Sequence, residues 1–235
     1  MDLIKKRFQI GDKKIVIDHN FEIPIGTGFG VSAACALGTS LGITKALNLP
    51  LTYNQAASIA HLTEIEMISG LGDVIAEITG GLAIRLKEGA PGFGRTDKII
   101  INPTNQNKIN SINRNKKSDE YYIITKTLGE LETATVIDDP LWKRRINQSG
   151  HKLLFKLLEK PDIQTFFKLS RRFAGETSLM SPELKEVVEV LDDETMGASM
   201  AMLGNTAFAL SKTPDTSLDG VIVSKIDELG CRFVD

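Results

Sequence analysis

The feature that most constrains the fold of this 235-residue chain is a glycine-rich segment at residues 24–34, Pro-Ile-Gly-Thr-Gly-Phe-Gly-Val-Ser-Ala-Ala. Gly26, Gly28 and Gly30 alternate with other residues, and Ser32 then opens a run of small residues with helical spacing. Glycines let backbone amides approach an anion, and a helix N-terminus adds unpaired N–H groups and partial positive charge. The segment is neither a Walker A loop nor a G-x-G-x-x-G fingerprint. Spacing alone fits a phosphate-binding loop and a tight strand-to-helix turn equally well.

A second glycine-rich segment, residues 70–81, encloses acidic residues in the run Gly-Leu-Gly-Asp-Val-Ile-Ala-Glu-Ile-Thr-Gly-Gly. Asp73 stands beside its glycines, and Glu64 and Glu66 come shortly before, near the end of a predicted helix. A kinase needs oxygen ligands for Mg2+ and can use a carboxylate to orient or deprotonate the attacking hydroxyl. Taken singly, the glutamates, Glu77 included, are more typical of solvated helix residues, and Asp73 of a helix N-cap.

Composition excludes several classes of protein. The formal net charge is only −2, which argues against a nucleic-acid partner because such proteins carry a strong basic excess. Cys35 and Cys231 are far apart and lack the spacing of a zinc site or a disulfide framework. The chain shows no apolar run of about 18 residues and no signal-peptide pattern. We therefore expect a cytoplasmic enzyme with no membrane partner.

In this order and combination, the two segments resemble the GHMP kinase superfamily, and within it the archaeal pantoate kinases. Residues 24–34 look like the family's phosphate loop, P-x-G-x-G-L-G-S-S-A-A, with Phe29 in place of leucine and Val31 in place of the first serine. The resemblance implies that Ser32, at the position of the second serine, contributes to Mg2+ and phosphate binding. It implies an ATP-binding set made of Pro24, Gly26, Gly28, Phe29, Gly30, Val31, Ser32, Ala33 and Ala34.

The segment around Asp73 looks like the family's catalytic acid motif, in which an aspartate precedes a pair of glycines by seven residues. The resemblance implies that Asp73 is the catalytic residue. A glutamate upstream completes the Mg2+ site in the family. Glu64, nine positions before Asp73, is the first candidate for that ligand, and Glu66 is the second.

The resemblance also implies a site for the acceptor substrate. Arg85 follows the catalytic motif on a predicted strand, and its guanidinium fork suits the carboxylate of a small hydroxy acid such as pantoate. Without the resemblance, a surface arginine explains Arg85 equally well. Thr133 is a second, weaker substrate candidate. Residues 202–210 match the family's usual third glycine-rich motif poorly but resemble the same region of pantoate kinases.

The expected fold is α+β with two domains. Residues 1–145 are predicted to form an N-terminal ATP-binding domain like the second domain of ribosomal protein S5, and residues 146–235 a ferredoxin-like C-terminal domain. The sequence also predicts strands at residues 14–17, with 8–10 as a hairpin partner, and a short last strand near residues 231–234. Family members normally carry a strand and an acceptor-pocket motif many tens of residues before the phosphate loop, so a front piece is expected to be missing.

The expected activity is transfer of the ATP γ-phosphate to pantoate, giving 4-phosphopantoate for coenzyme A biosynthesis, with ATP and Mg2+ as cofactors. Two alternatives stay open. One is a GHMP kinase for another small alcohol, and the other is an inactive nucleotide-binding protein, suggested by the short N-terminus. The expected partner is a small-molecule hydroxy acid, and the sequence leaves a homodimer open.

Overall fold

The computed structural model of the chain describes residues 2–8, 10, 13–70, 72–101, 121–130 and 139–234. The chain divides into two compact units, the first made of residues 1–98, 130–140 and 228–235 and the second of residues 99–129 and 141–227. These units are compact bodies rather than family domains, so the predicted domain boundary at residue 145 stays a prediction. Thr133, the weaker substrate candidate, lies outside the described residues.

The described residues of the first unit form four helices and a two-stranded sheet. The helices are α1 (Asp2–Phe8), α2 (Val31–Ala46), α3 (Tyr53–Met67) and α4 (Asp73–Thr79), and the paired strands are β1 (Leu82–Lys87) and β2 (Arg95–Ile99). Small side chains let the helices pack closely, and one buried cluster joins α2, α3 and α4. Its members are Ala33, Leu37, Leu41, Ala56, Ala57, Ala60 and Val74.

The start of α3 is fixed by local sequence. Thr52 is the N-cap, and its hydroxyl accepts a hydrogen bond from the backbone N–H of Gln55 while the Gln55 side chain accepts one from the N–H of Thr52. This reciprocal capping box satisfies two donors that a helix N-terminus otherwise leaves unpaired. Because the cap sets where α3 begins, it also sets the directions in which the side chains of the later turns point. Glu64 lies in one of those turns.

The second unit is built on a four-stranded antiparallel sheet. Its strands are β3 (Tyr122–Gly129), β4 (Ala198–Met200), β5 (Asn205–Ser211) and β6 (Ile222–Lys225), and they lie in the order β4-β5-β3-β6. In chain order this is second, third, first, fourth, which is the ferredoxin-like arrangement. The sheet agrees with the fold predicted for the C-terminal part of the chain.

Where the second unit is described, three helices accompany the sheet: α5 (Pro140–Glu159), α6 (Ile163–Thr177) and α7 (Pro182–Glu194). Ser181 caps α7 by accepting from the N–H of Leu184, and Pro182 occupies the first helical turn, where its missing N–H costs nothing. The apolar sides of α6 and α7 pack on the sheet. The buried cluster comprises Ile124, Ala174, Leu184, Val188, Leu191, Ala198, Met200, Ala207 and Ala209.

Three predicted strands, at residues 8–10, 14–17 and 231–234, are wrong. Residues 13–20 form no regular structure, and Phe8 belongs to α1 instead of a hairpin. A β-branched run forms a strand only where a neighbour completes the hydrogen-bond ladder. Here Ile15 instead packs beside a small apolar cluster, while Val16 is 72% exposed. Residues 231–234 likewise form no strand.

None of the helices in the described part of the chain is both long and apolar enough to cross a lipid bilayer. The combination of helices with a β-sheet in each unit confirms the predicted α+β class.

Candidate active site

The glycine-rich loop adopts a backbone that only its glycines accommodate easily. Gly26, Gly28 and Gly30 have φ values of 83°, 87° and 68°, which place all three in the left-handed region. Thr27, between Gly26 and Gly28, is buried, and its hydroxyl donates a hydrogen bond of 2.8 Å to the carbonyl oxygen of Pro24. The loop is therefore held in shape from within and leads directly into α2.

Ser32 lies in the first turn of α2. Gly30 is the N-cap residue of this helix and provides no side-chain cap for its first amide groups. Such groups, together with the helix dipole, favour an anion at this position. The Ser32 hydroxyl donates a hydrogen bond to Oε1 of Glu64, and the two oxygens lie 3.4 Å apart.

The structure separates the two metal-ligand candidates on α3. Glu64 is almost completely buried, with 1% of its surface exposed, whereas Glu66 is exposed. The second carboxylate oxygen of Glu64, Oε2, is buried and has no hydrogen-bond partner in the described part of the chain. A buried carboxylate with an unused oxygen is costly unless a cation or proton occupies it. Of the two glutamates, Glu64 is the one whose geometry suits a metal ligand.

Asp73 begins α4 and meets Glu64 across Gly70. A Cβ atom placed on Gly70 would lie 2.8 Å from Oε1 of Glu64 and 2.9 Å from Oδ2 of Asp73. Both carboxylates therefore reach the same small space, which stays open only because residue 70 has no side chain. A Cβ atom on Gly30 would lie 3.0 Å from the Asp73 Cβ, so Asp73 also borders the glycine-rich loop.

Glu77 is a third carboxylate in this cluster and was not predicted as a site residue. A Cβ atom on Gly30 would lie only 2.7 Å from Oε1 of Glu77, and the Oε2 atom is buried without a partner among the described residues. The sequence did contain a signal. Glu77 lies four positions after Asp73, and this spacing places both side chains on one face of a helix.

Burial raises the pKa of all three carboxyl groups, and the charges of neighbouring carboxylates raise the pKa of Glu64 and Glu77 further. Burial, and then the charge of Asp73, raise the pKa of Glu64 to about 7, although hydrogen bonds from Ser32 and the Val74 backbone work against the rise. Burial raises the pKa of Asp73. Burial, followed by the charges of Asp73 and Glu64, raises the pKa of Glu77 to about 9. When all three groups are ionised their charges repel one another, and a cation bound among them would offset that repulsion.

The donors in this cluster fit Mg2+ bound together with a nucleotide. In the described part of the chain, no three or more His, Cys, Asp or Glu side chains are arranged to hold a metal alone. Mg2+ commonly takes one or two carboxylates and completes its shell with substrate phosphates and water. The unpartnered oxygen of Glu64, the Ser32 hydroxyl beside it and the adjoining loop supply such a set.

The predicted substrate residue Arg85 lies on β1. Its guanidinium donates a hydrogen bond of 3.0 Å from Nη2 to the carbonyl oxygen of Gly89, in the loop between β1 and β2. Burial and then the Arg85 charge lower the pKa of His61 on α3. His61 precedes Glu64 by three residues, so the two share one side of α3. Arg85 is thus near the helix face that carries Glu64.

We expect the metal-free protein to lose stability as the pH rises from about 7 to about 9. Glu77 ordinarily titrates at 4.5 but at about 9 in the folded chain, so the folded state retains a proton that the unfolded state has released. Stability therefore falls with rising pH, by about 1.4 kcal/mol per pH unit for each such proton. His61, whose pKa is lowered from 6.5, acts in the opposite direction only below that value. Urea unfolding in a chelating buffer measures the slope.

Glu77→Gln removes the proton-linked group while keeping the shape of the side chain, so it is expected to flatten this slope and to stabilise the protein at pH 9. Glu186→Gln, at an exposed position on α7, is the matched control and should leave the slope unchanged. Stability that rises between pH 7 and 9, or equal slopes for Glu77→Gln and the wild type, would contradict the buried cluster.

Two sequence profiles match the chain. The profile described as GHMP kinases N terminal domain matches residues 1–81, and the profile described as GHMP kinases C terminal matches residues 154–218. The first match includes the glycine-rich loop and the three carboxylates. The two matches occur in the predicted order.

Individual proteins are also similar to this chain in sequence and in structure. The pantoate kinase of Methanocaldococcus jannaschii is 36% identical over 208 residues, which cover 88% of this chain and 68% of that protein. The pantoate kinase of Thermococcus kodakarensis is 37% identical over 191 residues, covering 81% and 57%. A solved structure described as a phosphotransferase related to the CoA biosynthesis pathway superimposes with a TM-score of 0.68 at 31% identity, covering 88% of this chain and 64% of that one. The chain thus spans 57% to 68% of the lengths of these proteins.

Proposed function

Because this chain belongs to the GHMP kinase family, we propose that it transfers the γ-phosphoryl group of ATP to the primary hydroxyl of pantoate, giving 4-phosphopantoate. The observation that carries the proposal is the convergence of three carboxylates: buried Glu64 meets Asp73 at Gly70, and Asp73 and Glu77, both half-buried, lie beside Gly30 of the glycine-rich loop. The relatives named pantoate kinase support the choice of acceptor.

In the proposed mechanism, the loop and the start of α2 hold the ATP phosphates through backbone amides. Ser32 and Glu64 would hold Mg2+, whose charge offsets that of the phosphates when it is bound. Burial of the Glu64 carboxylate limits its contact with water, so its interaction with a cation is stronger than at the surface. Positioning and charge stabilisation supply most of the rate enhancement in phosphoryl transfer.

Asp73 would act on the acceptor. Its carboxylate accepts the proton of the primary hydroxyl as the hydroxyl oxygen forms a bond to the γ-phosphorus and the bond from that phosphorus to the ADP oxygen breaks. A base is most effective when its pKa is near the working pH, and burial raises the pKa of Asp73 in that direction. The position of Asp73 beside Gly30 supports this role because the base must face the phosphate loop.

The direct test measures ADP release with purified protein, ATP, Mg2+ and a panel of alcohols that includes pantoate, mevalonate, galactose and glycerol. We expect pantoate to give the highest kcat/KM and phosphorus NMR to detect a phosphomonoester product. A higher kcat/KM for another alcohol would mean that the protein is a kinase whose acceptor substrate is that alcohol instead of pantoate. Calorimetric ATP binding without turnover on any alcohol would instead indicate an inactive nucleotide-binding protein.

Arg85→Ala is expected to raise the KM for pantoate by about 10-fold while kcat changes little, because a charge-assisted contact to the substrate carboxylate is lost. Arg85→Lys tests geometry, since lysine keeps the charge but loses the fork that pairs with a carboxylate. It should recover only part of the affinity. An unchanged KM in Arg85→Ala would contradict the substrate role of Arg85 and leave it a structural one, such as the hydrogen bond to the Gly89 carbonyl.

A further inference from the structure

The C-terminal segment, residues 228–234, lies against all three helices that carry the proposed site residues. At the end of α2, the Lys45 ammonium lies 4.3 Å from the centroid of the Phe233 ring, within the range of a cation–π contact. At the start of α3, the Tyr53 hydroxyl donates a hydrogen bond to the carbonyl oxygen of Cys231. Burial and the proximity of Cys231 raise the pKa of Tyr53 to about 12, so this phenol remains a donor at neutral pH.

The contact with α4 is made by backbone atoms. The N–H of Cys231 donates a hydrogen bond of 2.7 Å to the carbonyl oxygen of Glu77, one of the last carbonyls of this helix, which lacks a partner within the helix itself. Gly230 is buried and has a φ of 70°. A Cβ atom on it would lie 2.6 Å from the Glu77 oxygen and 2.7 Å from the Ile78 oxygen. The segment therefore caps the end of α4 at a distance that leaves no room for a side chain.

Glu228 fixes the beginning of the segment. Its carboxylate fills the space above Gly81, where a Cβ atom would lie 2.5 Å from Oε2. The Lys98 ammonium donates a hydrogen bond of 2.8 Å to the Glu228 carbonyl oxygen. Both ends of the segment are thus attached, one beside the sheet of β1 and β2 and the other at α2, and the contact with α4 lies between them.

We propose that residues 228–234 are a positioning segment that sets the orientation of α4 and thereby places Asp73 against the glycine-rich loop, an inference that rests on the proposed kinase function. Glu77 makes the connection. Its carbonyl oxygen accepts from the segment, while its side chain and that of Asp73 lie beside Gly30 on the loop. A displacement at the carbonyl end of α4 therefore moves the two carboxylates at the loop.

The length of α4 explains why an external support matters. It has seven residues, about two turns, and a helix this short is not stable without tertiary contacts. Its buried side, Val74 and Ile75, anchors it to the core, but its C-terminal carbonyls depend on partners outside the helix. Misplacement of a reacting group by about 1 Å can lower a rate by about 10²-fold. Small movements of α4 are therefore expected to appear in kcat.

Gly230→Ala tests the proposal because its methyl group would overlap two backbone oxygens that cannot rotate away. We expect kcat for pantoate to fall by about 10-fold, with the KM for ATP changed less than about 3-fold, because the segment meets α2 at its C-terminal end, at Lys45, and not at the first turn beside the loop. Hydrogen exchange followed by mass spectrometry should show faster exchange of the α4 amides, and unchanged exchange in α7 of the second unit.

Gly220→Ala is the matched control. Gly220 also has a left-handed backbone, with φ 61°, but a Cβ atom there would approach only the flexible end of Lys126, at 3.1 Å. It lies in the second unit, far along the chain from α4. A second test variant, Tyr53→Phe with Lys98→Met, removes two hydrogen bonds to the segment without adding atoms. It should change kcat and α4 exchange in the same direction as Gly230→Ala, by about 3-fold in kcat.

The outcomes are distinct. Unchanged exchange of the α4 amides in both test variants, or faster exchange with unchanged kcat, would overturn the proposal. So would a parallel loss of ATP affinity, kcat and melting temperature, since that pattern describes general destabilisation. If the wild type phosphorylates no alcohol, the proposed function fails, and the exchange data still decide whether residues 228–234 hold α4.

Discussion

Asp73→Asn is expected to lower kcat by about 10²-fold or more while the affinity for Mg-ATP stays nearly the same. Asparagine fills the same space between Gly30 and Gly70 but cannot accept the proton of the acceptor hydroxyl. Removing one charge from the crowded carboxylate cluster should also ease its repulsion, so the variant is expected to be at least as stable as the wild type. Steady-state kinetics and calorimetric titration with ATP measure the two effects separately.

Asp97→Asn is the control for this change, because Asp97 is an exposed aspartate on β2 of the same unit. It should leave both kcat and ATP affinity unaltered. A loss of less than about 10-fold in Asp73→Asn would mean that the carboxylate orients the acceptor without taking its proton, and the acid/base role would then be withdrawn. A comparable loss in ATP affinity would instead place Asp73 in the nucleotide site.

The sequence was sufficient for features that depend on local chemistry. Thr52 opens α3, and its capping box is visible in the Thr-x-x-Gln spacing of the sequence. Ser181 and Pro182 mark the start of α7 for the same kind of reason. The positive φ values at Gly26, Gly28 and Gly30 follow from a loop that only glycine tolerates. The resemblance to a family then selected Glu64 and Asp73, which the structure places at one point.

Features that depend on distant contacts could not be predicted. Glu77 has the composition of a solvated helix residue, and only the packing of α4 against the loop makes its carboxylate buried. Residues 231–234 have an apolar, strand-like pattern, yet no neighbouring strand pairs with them, and they pack on helices instead. Residues 14–17 show the same conflict. In each case the residue types could not show which neighbour the fold would bring to that segment.

Glu64 is the proposed metal ligand, and this role depends on the negative charge of its carboxylate. Glu64→Gln is expected to raise the Mg2+ concentration for half-maximal activity by about 10- to 100-fold, the scale on which metal sites respond to a lost interaction. Glutamine keeps the hydrogen bond from Ser32 but presents a neutral, weaker ligand to the cation. The measurement is ADP release against Mg2+ concentration at fixed ATP.

Glu66→Gln is the matched control, since Glu66 lies two residues further along α3 and is exposed. It should reproduce the wild-type Mg2+ curve. If Glu66→Gln shifted the curve and Glu64→Gln did not, the metal ligand would be reassigned and the buried oxygen of Glu64 would need a proton instead. Loss of activity through unfolding is also distinguishable. Glu64→Gln removes a charge that raises the pKa of Glu77, so at pH 8 without metal the variant is expected to be more stable than the wild type.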